Sequence, residues 1–151
     1  MIIYRDMIEE DIPQIIEIEK ACFSDPWSAD AMRRELHENA HMAHYKVACD
    51  GEKVVGYGGY WQVFDEANIT NIAVHSDYRR QGIGEGLLKA LEAEYPKLGI
   101  MYATLEVRVS NEAAKKLYLK NGFVSAGIRP NYYEKPREDA DIMWKTMDSL
   151  R

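Results

Sequence analysis

One segment of the chain has residue types suited to binding a phosphate-bearing ligand. Residues 72–86 read IAVHSDYRRQGIGEG, a strand pattern that runs through a glycine-bearing loop into a helix pattern. Backbone N–H groups in the first turn of a helix have no partner within the helix, and the helix dipole adds positive potential there. Glycines let an anion approach the backbone closely. The segment therefore predicts a loop that binds phosphate or pyrophosphate.

Two better-known phosphate-binding patterns do not fit this segment. The dinucleotide pattern G-x-G-x-x-G needs a third glycine where the chain has Leu87 or Lys89. The Walker pattern needs Gly-Lys followed by Ser or Thr, a run that this sequence lacks. Glycines that simply form a turn remain the alternative interpretation.

Two later side chains could exchange protons with a substrate. Glu106 lies between apolar residues in the alternating pattern of residues 101–109, and a carboxylate can act as a general base. Tyr118 lies on an apolar helical stripe. A phenol, with a usual pKa of about 10, can protonate a thiolate whose acid has a pKa of about 8.5. The pattern alone favours an exposed strand glutamate that faces Arg108 or solvent at position 106, and a tyrosine that packs in the core at position 118.

These motifs resemble those of the GNAT acetyltransferases. The pattern Arg79-x-x-Gly82-x-Gly84, after a strand ending NIAV, resembles motif A, the loop that holds the pyrophosphate of acetyl-CoA in that family. The runs LEVRVSNEAA (105–114), GIRPNYY (127–133) and EDADIM (138–143) resemble the ribosomal-protein alanine N-acetyltransferases, the RimI type. The resemblance extends through nearly the whole chain.

The resemblance implies roles for particular residues. Glu106 corresponds to the general base, Tyr118 to the general acid, and Asn111 to a CoA-binding residue on the following helix. The other implied acetyl-CoA-binding residues are Ile72, Ala73, Val74, Arg79, Arg80, Gln81, Gly82, Ile83, Gly84 and Glu85. The chain departs from the family where Arg79 replaces a common glutamine and where residues 134–136 shorten the loop after the tyrosines. The second departure bears on peptide preference more than on chemistry.

A peptide groove has candidate walls on both sides of these residues. Trp27 with Ser28 precedes the second predicted helix, and Tyr132 with Tyr133 lies in a late polar segment. Aromatic residues that merely pack are the alternative. We expect these four residues to contact the substrate.

The expected reaction is transfer of an acetyl group from acetyl-CoA to the N-terminal α-amine of a protein, most simply the alanine of a small-subunit ribosomal protein. We expect direct attack, because Cys22 and Cys49 lie outside the motifs and are expected to be buried free thiols. One alternative is a GNAT enzyme that acts on lysine or a small amine. The other is a CoA-binding module without turnover, which would need neither Glu106 nor Tyr118.

No metal site is predicted. The spacing of His37, His41 and His44 suggests zinc, but residues 39–40 are expected to end the helix between these histidines. The acetyl donor, acetyl-CoA, is therefore the only small-molecule partner expected.

The composition is that of an ordinary soluble domain. The 151 residues are 46% hydrophobic and 29% charged, and 25 acidic against 19 basic side chains give a net charge of −6. An acidic balance argues against a general nucleic-acid binder and weakly favours a basic protein substrate. The sequence has no signal-like start and no apolar run of about eighteen residues. We expect a single cytoplasmic domain over residues 1–151, not bound to membranes, as a monomer or weak dimer.

Hydrophobic periodicity predicts the elements that position these residues. Strands are expected at 2–6, 43–49, 53–63, 67–75, 101–109, 123–128 and 140–147, and helices at 10–22, at 29–38, from 83 to before Pro96, and from a Ser110 cap to Asn121-Gly122. Ser28 is expected to cap the second helix, and Asp50-Gly51 to form a hairpin turn. One face of the third helix is expected to be apolar, with Ile83, Leu87, Leu88, Leu91 and Tyr95. Residues 129–139 are expected to form a loop. The order predicts an α/β domain, and the resemblance implies the GNAT fold: a mixed, mostly antiparallel sheet of about seven strands with four flanking helices.

Overall fold

The computed structural model describes residues 1–147, which form one seven-stranded sheet in the order β1-β2-β3-β4-β5-β7-β6. The strands are β1 (Ile2–Asp6), β2 (Ala43–Asp50), β3 (Lys53–Val63), β4 (Glu66–Val74), β5 (Tyr102–Arg108), β6 (Val124–Glu134) and β7 (Arg137–Thr146). The helices are α1 (Ile12–Cys22), α2 (Ala29–His37), α3 (Ile83–Glu92), the single turn α4 (Tyr95–Leu98) and α5 (Glu112–Lys120). All strand pairs are antiparallel except β4 with β5. The predicted fold class is confirmed, with α4 as an additional turn.

The helices cover the sheet with apolar faces. In α3 the buried residues Ile83, Leu87, Leu88 and Leu91 recur at the spacing of one helical face, as predicted. Leu88 and Leu91 pack with α5 and β5 in one region of the core, whereas Ile83 and Leu87 pack against β2 and β3 in a second. The helices α1 and α2 pack against β2 and β3 in a third region. No helix within residues 1–147 is long and apolar enough to span a membrane.

Of the two helix caps predicted from the sequence, Ser28 is correct and Ser110 is not. The Ser28 hydroxyl accepts a hydrogen bond from the Ala31 N–H (3.1 Å) and caps α2, as expected. The prediction that Ser110 caps α5 was wrong, because the Asn111 side chain is the group that accepts from the Ala114 N–H (3.2 Å). The Ser110 backbone N–H instead donates to the Glu138 carboxylate (2.8 Å), a tertiary contact that the local sequence does not reveal.

The prediction of a loop at residues 129–139 was also wrong, because β6 and β7 continue through most of this range. The pairing resumes at Tyr133 opposite Glu138 after a register shift. Asn131 takes a positive φ of 54° within this irregularity, and its N–H donates to Asp139 (2.8 Å). Pro130 is compatible with a strand here because β6 is an edge strand, paired only with β7.

A bulge interrupts β4 beside β3. Gly59 pairs with Asn71 and Tyr60 with Ile69, so Thr70 is an extra residue without a partner in β3. The ring of Tyr45 packs directly over Gly59, where an added Cβ would overlap the ring atoms. The absence of a side chain at Gly59 therefore lets Tyr45 lie flat against the sheet beside the bulge.

Replacing Gly59 with alanine should destabilise the fold, because the methyl group would displace the buried Tyr45 ring. We expect a loss of about 1–3 kcal/mol in the free energy of unfolding, typical of overpacking. Chemical denaturation of a double-mutant cycle with Tyr45→Leu checks the cause. In the Tyr45→Leu background Gly59→Ala should cost less than half as much. An equal cost in both backgrounds would contradict this account of the packing.

Candidate active site

A cleft opens where β4 and β5 separate. These parallel strands pair only at Glu66 with Tyr102, Ala67 with Ala103 and Asn68 with Thr104. Beyond Asn68 they diverge, and a cleft of about 1060 Å³ lies between them. Within residues 1–147, no strand pairs with this edge of β4 from Ile69 to Val74. The polar backbone groups of that edge are therefore available to a ligand.

The cleft brings together predicted residues from four parts of the chain. Its lining includes Trp27, Ile72, Glu106, Asn111, Tyr118, Tyr132 and Tyr133. Ser28, Ala73, Val74 and residues 79–85 are not in the lining. The Ser28 hydroxyl serves as a helix cap, and Ala73 is buried in the core beneath α1.

Glu106 projects from β5 into the cleft. Its side chain is 30% exposed, so the carboxylate is reachable from the cleft without being fully solvated. The neighbouring cation is Arg129 of β6, at 3.8 Å from Glu106 Oε1. Arg108, two residues further along β5, forms its salt bridge with Glu138 (3.2 Å) rather than with Glu106. This position allows Glu106 to accept a proton from a group in the cleft.

Tyr118 lies on the buried face of α5, edge-on to Phe123 with ring centroids 5.6 Å apart. Burial raises the pKa of Tyr118 well above its usual value, and the nearby Tyr133 adds to the shift. The phenol therefore keeps its proton near neutral pH. Among residues 1–147 no group forms a hydrogen bond with this hydroxyl, which leaves it available to a substrate.

The glycine-bearing loop leads into the N-terminus of α3 as predicted. Gly82 is the residue before the helix and has a φ of 77°, and Arg80 also has a positive φ, 64°. The first intrahelical bond of this turn runs from the Gly86 N–H to the Gly82 carbonyl (2.9 Å). The N–H groups of residues 83–85 precede it and have no acceptor within the helix, which is the arrangement that binds anions.

Different structural features favour glycine at positions 82 and 84 of this loop. At Gly82 an added Cβ would meet no atom within 4 Å, so the positive φ is what favours glycine. At Gly84 an added Cβ would lie 3.3 Å from Leu117 Cδ2, so the close approach of α5 favours a small residue. These reasons lie within the protein itself, and the prediction that the glycines let an anion approach the backbone stays a prediction.

The charged residues of the loop are arranged around an open N-terminus. Arg80 and Gln81 are exposed. Glu85 points away from the loop, because its carboxylate accepts from Asn121 (3.0 Å) and pairs with Lys120 (3.4 Å). These two contacts lower the pKa of Glu85, so the carboxylate is charged and compensated by α5. An anion at the loop would therefore meet backbone N–H groups rather than a free carboxylate.

Arg79 and Cys22 meet at the end of β4. The Arg79 guanidinium lies 3.4 Å from Cys22 Sγ and 3.4 Å from the Val74 carbonyl oxygen. Cys22 is a half-buried free thiol that lines the cleft, so the expectation that it is buried was wrong, whereas Cys49 is buried as expected. Arg79 therefore contacts the end of β4, and both Arg79 and Arg80 remain exposed.

The aromatic walls are held by arginines. The rings of Tyr132 and Tyr133 meet edge-on with centroids 5.0 Å apart. The Arg108 guanidinium stacks on Tyr133 at 4.2 Å, and that of Arg129 lies 5.2 Å from the centre of Tyr132. On the opposite side, the Trp27 N–H donates to the buried Glu19 (2.8 Å). Both walls are therefore fixed by charged groups that the sequence analysis did not select.

The candidate histidines do not converge. His37 contacts Glu9 at 2.6 Å on the surface, and His44 stacks on Tyr60. Within residues 1–147 no three His, Cys, Asp or Glu side chains form a possible metal-binding group.

Comparison with known proteins places this arrangement in a family. The sequence profile described as Acetyltransferase (GNAT) family matches residues 12–123, most of the chain. The chain belongs to this family. Acetyltransferases of the GNAT family use acetyl-CoA, and the resemblance stated from the sequence is confirmed.

Individual relatives are similar over nearly the full length. A Bacillus subtilis (strain 168) protein is 44% identical over 144 residues, covering 95% of each chain. The ribosomal protein bS18-alanine N-acetyltransferase of Escherichia coli (strain K12) is 40% identical over 135 residues, covering 88% of this chain and 89% of that one. The crystal structure of the ribosomal-protein-S18-alanine N-acetyltransferase from Escherichia coli matches with a TM-score of 0.86 and 36% identity, over 97% of this chain and 94% of that one.

Replacing Gly82 with valine should weaken CoA binding, because a β-branched residue disfavours the positive φ that aims the loop N–H groups outward. We expect the Kd for CoA, measured by calorimetry, to rise about tenfold or more, the effect of losing charge-assisted N–H contacts.

Gly51→Val is the matched control, because Gly51 also has a positive φ, 62°, and open space around it, but lies in the β2–β3 turn. It should cost similar stability and leave CoA affinity unchanged. An unaltered CoA affinity in Gly82→Val would remove this loop from the binding site.

Proposed function

We propose that the protein transfers an acetyl group from acetyl-CoA to the N-terminal α-amine of a protein, with the alanine of ribosomal protein bS18 as the substrate that the relatives' names favour. The observation that carries the proposal is that Glu106 and Tyr118 line one cleft, beside the unpaired edge of β4. An acid and a base that share a cleft can serve the two ends of one acyl transfer.

Acetyl-CoA fits the residues around this edge. The N–H groups at the start of α3 suit its pyrophosphate, with Arg80 exposed beside them. The unpaired edge of β4, including residues 72–74, offers backbone partners to the amide-bearing arm of CoA. The Asn111 amide nitrogen is left for a ligand, because its side-chain oxygen caps α5. When bound, acetyl-CoA supplies the reactive thioester.

Glu106 acts as the general base in this proposal. The attacking amine must be neutral, and a half-exposed carboxylate in the cleft can take its proton. Removing that proton from an α-amine, with a usual pKa near 7.7–8.0, costs roughly 3.5 kcal/mol less at neutral pH than removing it from lysine, with a usual pKa near 10.4. A carboxylate, which is a weak base, therefore suits an α-amine better than a lysine.

Tyr118 acts as the general acid. The thiolate of CoA leaves as the amide forms, and a proton must reach its sulfur. The phenol of Tyr118 is protonated at neutral pH, both at its usual pKa of about 10 and after burial raises that pKa, so it holds a proton when the thiolate leaves. A CoA-binding module without turnover would have no use for this buried, unbonded hydroxyl.

The substrate is a basic protein in this proposal. The net charge of −6 favours the approach of a basic ribosomal protein. We place the reaction in the cytoplasm, with the enzyme as a monomer or weak dimer and with no metal ion, nucleic acid or membrane required.

The acid–base roles predict large rate effects with little change in binding. Glu106→Gln and Tyr118→Phe should each lower kcat by about 10²–10⁴, because each removes one proton-transfer group and keeps the shape of the side chain. Steady-state kinetics with calorimetric CoA affinity as the control separates chemistry from binding. Near-normal turnover in Glu106→Gln would assign the base to another group.

The choice of amine is tested with three matched peptides. The first begins with alanine, has a free α-amine and contains no lysine. The second is N-formylated and contains an internal lysine. The third has both the free α-amine and the internal lysine. Only the first and third should be acetylated, with mass spectrometry placing the acetyl group on the N-terminus. Equal rates on the blocked, lysine-bearing peptide would overturn the α-amine assignment and leave the acetyltransferase activity intact.

A further inference from the structure

Two glutamates are buried at the front of the cleft, on either side of the segment that joins α1 to α2. Glu19 of α1 is fully buried, and Glu35 of α2 is 5% exposed. Both line the cleft. Within residues 1–147 neither forms a salt bridge with Lys, Arg or His. Burying a carboxylate without a cation is costly unless hydrogen bonds compensate, so the partners of these two groups matter.

Glu19 connects the α1–α2 segment (residues 23–28) to the sheet. One carboxylate oxygen accepts from the Trp27 backbone N–H (2.8 Å). The other accepts from the Tyr57 hydroxyl of β3 and lies 3.4 Å from the side-chain nitrogen of Asn71. Burial raises the pKa of Glu19, while the contacts from Trp27 and Tyr57 oppose that shift.

Glu35 makes the equivalent connection from α2. It accepts from the Tyr45 hydroxyl (2.7 Å), the Trp61 indole N–H and the Asn39 side-chain amide (2.7 Å). Tyr45 in turn lies 3.4 Å from the hydroxyl of Thr70. Burial raises the pKa of both Tyr45 and Tyr57, so these phenols keep their protons and donate.

The β4 bulge explains how one strand reaches both carboxylates. In a regular strand successive side chains point to opposite faces. Because Thr70 is the extra residue of the bulge, Thr70 and its neighbour Asn71 both contact residues on the α1–α2 side of the sheet. Thr70 joins the Glu35 group and Asn71 joins the Glu19 group. β4 is thereby linked to Glu19, which bonds the α1–α2 segment at Trp27, and through Tyr45 to Glu35 in the last turn of α2, the helix that follows the segment.

We propose that Glu19 and Glu35 are positioning residues that together clamp the α1–α2 segment, through Glu19, and the α2 helix that follows it, through Glu35, onto the sheet beside the β4 bulge, and so hold the peptide wall at Trp27. Neither carboxylate is a catalytic residue, because neutral donors already occupy each of them. Their contribution is to peptide binding, through the segment they hold. The inference rests on the proposed function, since it assumes that Trp27 borders the peptide.

Glu19→Ala and Glu35→Ala test the clamp in the full-length enzyme. Each should raise the KM for an alanine-initiated peptide about 10–100-fold, the effect of losing one or two ordering hydrogen bonds. The KM for acetyl-CoA should stay within about twofold and kcat within about threefold. Glu17→Ala, at an exposed position of α1, and Glu38→Ala, at the exposed residue that follows α2, are the matched controls and should leave all constants unchanged.

Rescue and hydrogen exchange separate positioning from a general loss of structure. Glutamine can still accept from the Trp27 N–H at position 19, so Glu19→Gln should recover most of the lost peptide affinity. In Glu19→Ala, amide exchange should accelerate in residues 23–28 and stay unchanged in β2, β3 and α3. If an alanine variant does not fold, Asn71→Ala and Tyr45→Phe each remove a single donor and should raise the peptide KM about 3–10-fold.

The outcomes are distinguishable. An unchanged peptide KM in the folded variants, or equal losses for peptide and acetyl-CoA, would overturn the clamp. Failure of the wild-type enzyme to acetylate any free N-terminus would instead overturn the proposed function, and the exchange measurement would still decide whether the carboxylates hold the segment.

Discussion

The site depends on the early separation of two parallel strands. β5 is paired along its whole length with β7 on its outer side, and β4 is paired with β3 on its outer side. Between them only three residue pairs form before the strands diverge. An unpaired strand edge inside a sheet leaves backbone N–H and C=O groups that need partners. In this fold a ligand in the cleft can provide these partners. The backbone groups that the separation leaves unpaired are therefore the groups that we propose bind acetyl-CoA.

The other features of the site follow from that separation. α3 begins just after β4 and directs its free N–H groups to one end of the cleft, while α5 places Tyr118 opposite the open edge. The two peptide walls approach one another across the front, where the Ser24 hydroxyl donates to the Lys135 carbonyl oxygen. Arg108 holds the second wall through Tyr133, Glu138 and the Lys135 carbonyl oxygen (3.2 Å). The binding surfaces are therefore attached to the same two strands that part.

The sequence predicted the features that local chemistry determines. The apolar stripe of α3, the Ser28 cap and the turn at Gly51 each depend on residues close in the chain, and the structure shows all three. The glycine loop, Glu106 and Tyr118 could be selected because each lies in a short sequence motif that resembles a motif of the family.

What the sequence did not predict depends on distant contacts. Asn111 rather than Ser110 caps α5, and the Ser110 backbone N–H donates to Glu138, far along the chain. Residues 129–139 have turn-like composition yet pair as an edge hairpin. Glu19 follows the apolar positions of α1 at a spacing that places it on the buried face, a signal that could have revealed it, but its partners come from β3 and β4. A residue-by-residue reading has no access to such pairings.

In the proposed reaction one cleft, opened by the separation of β4 and β5, holds both substrates in line between Glu106 and Tyr118. A crystal structure with a conjugate that joins CoA through an acetyl bridge to the N-terminus of an alanine-initiated peptide tests this most directly. We expect the pyrophosphate to lie at the N–H groups of residues 83–85 and the acetyl bridge to lie between Glu106 and Tyr118. The peptide should lie between Trp27 and Tyr133. A conjugate bound with its bridge away from Glu106 and Tyr118, or with its peptide outside the two walls, would contradict this proposal.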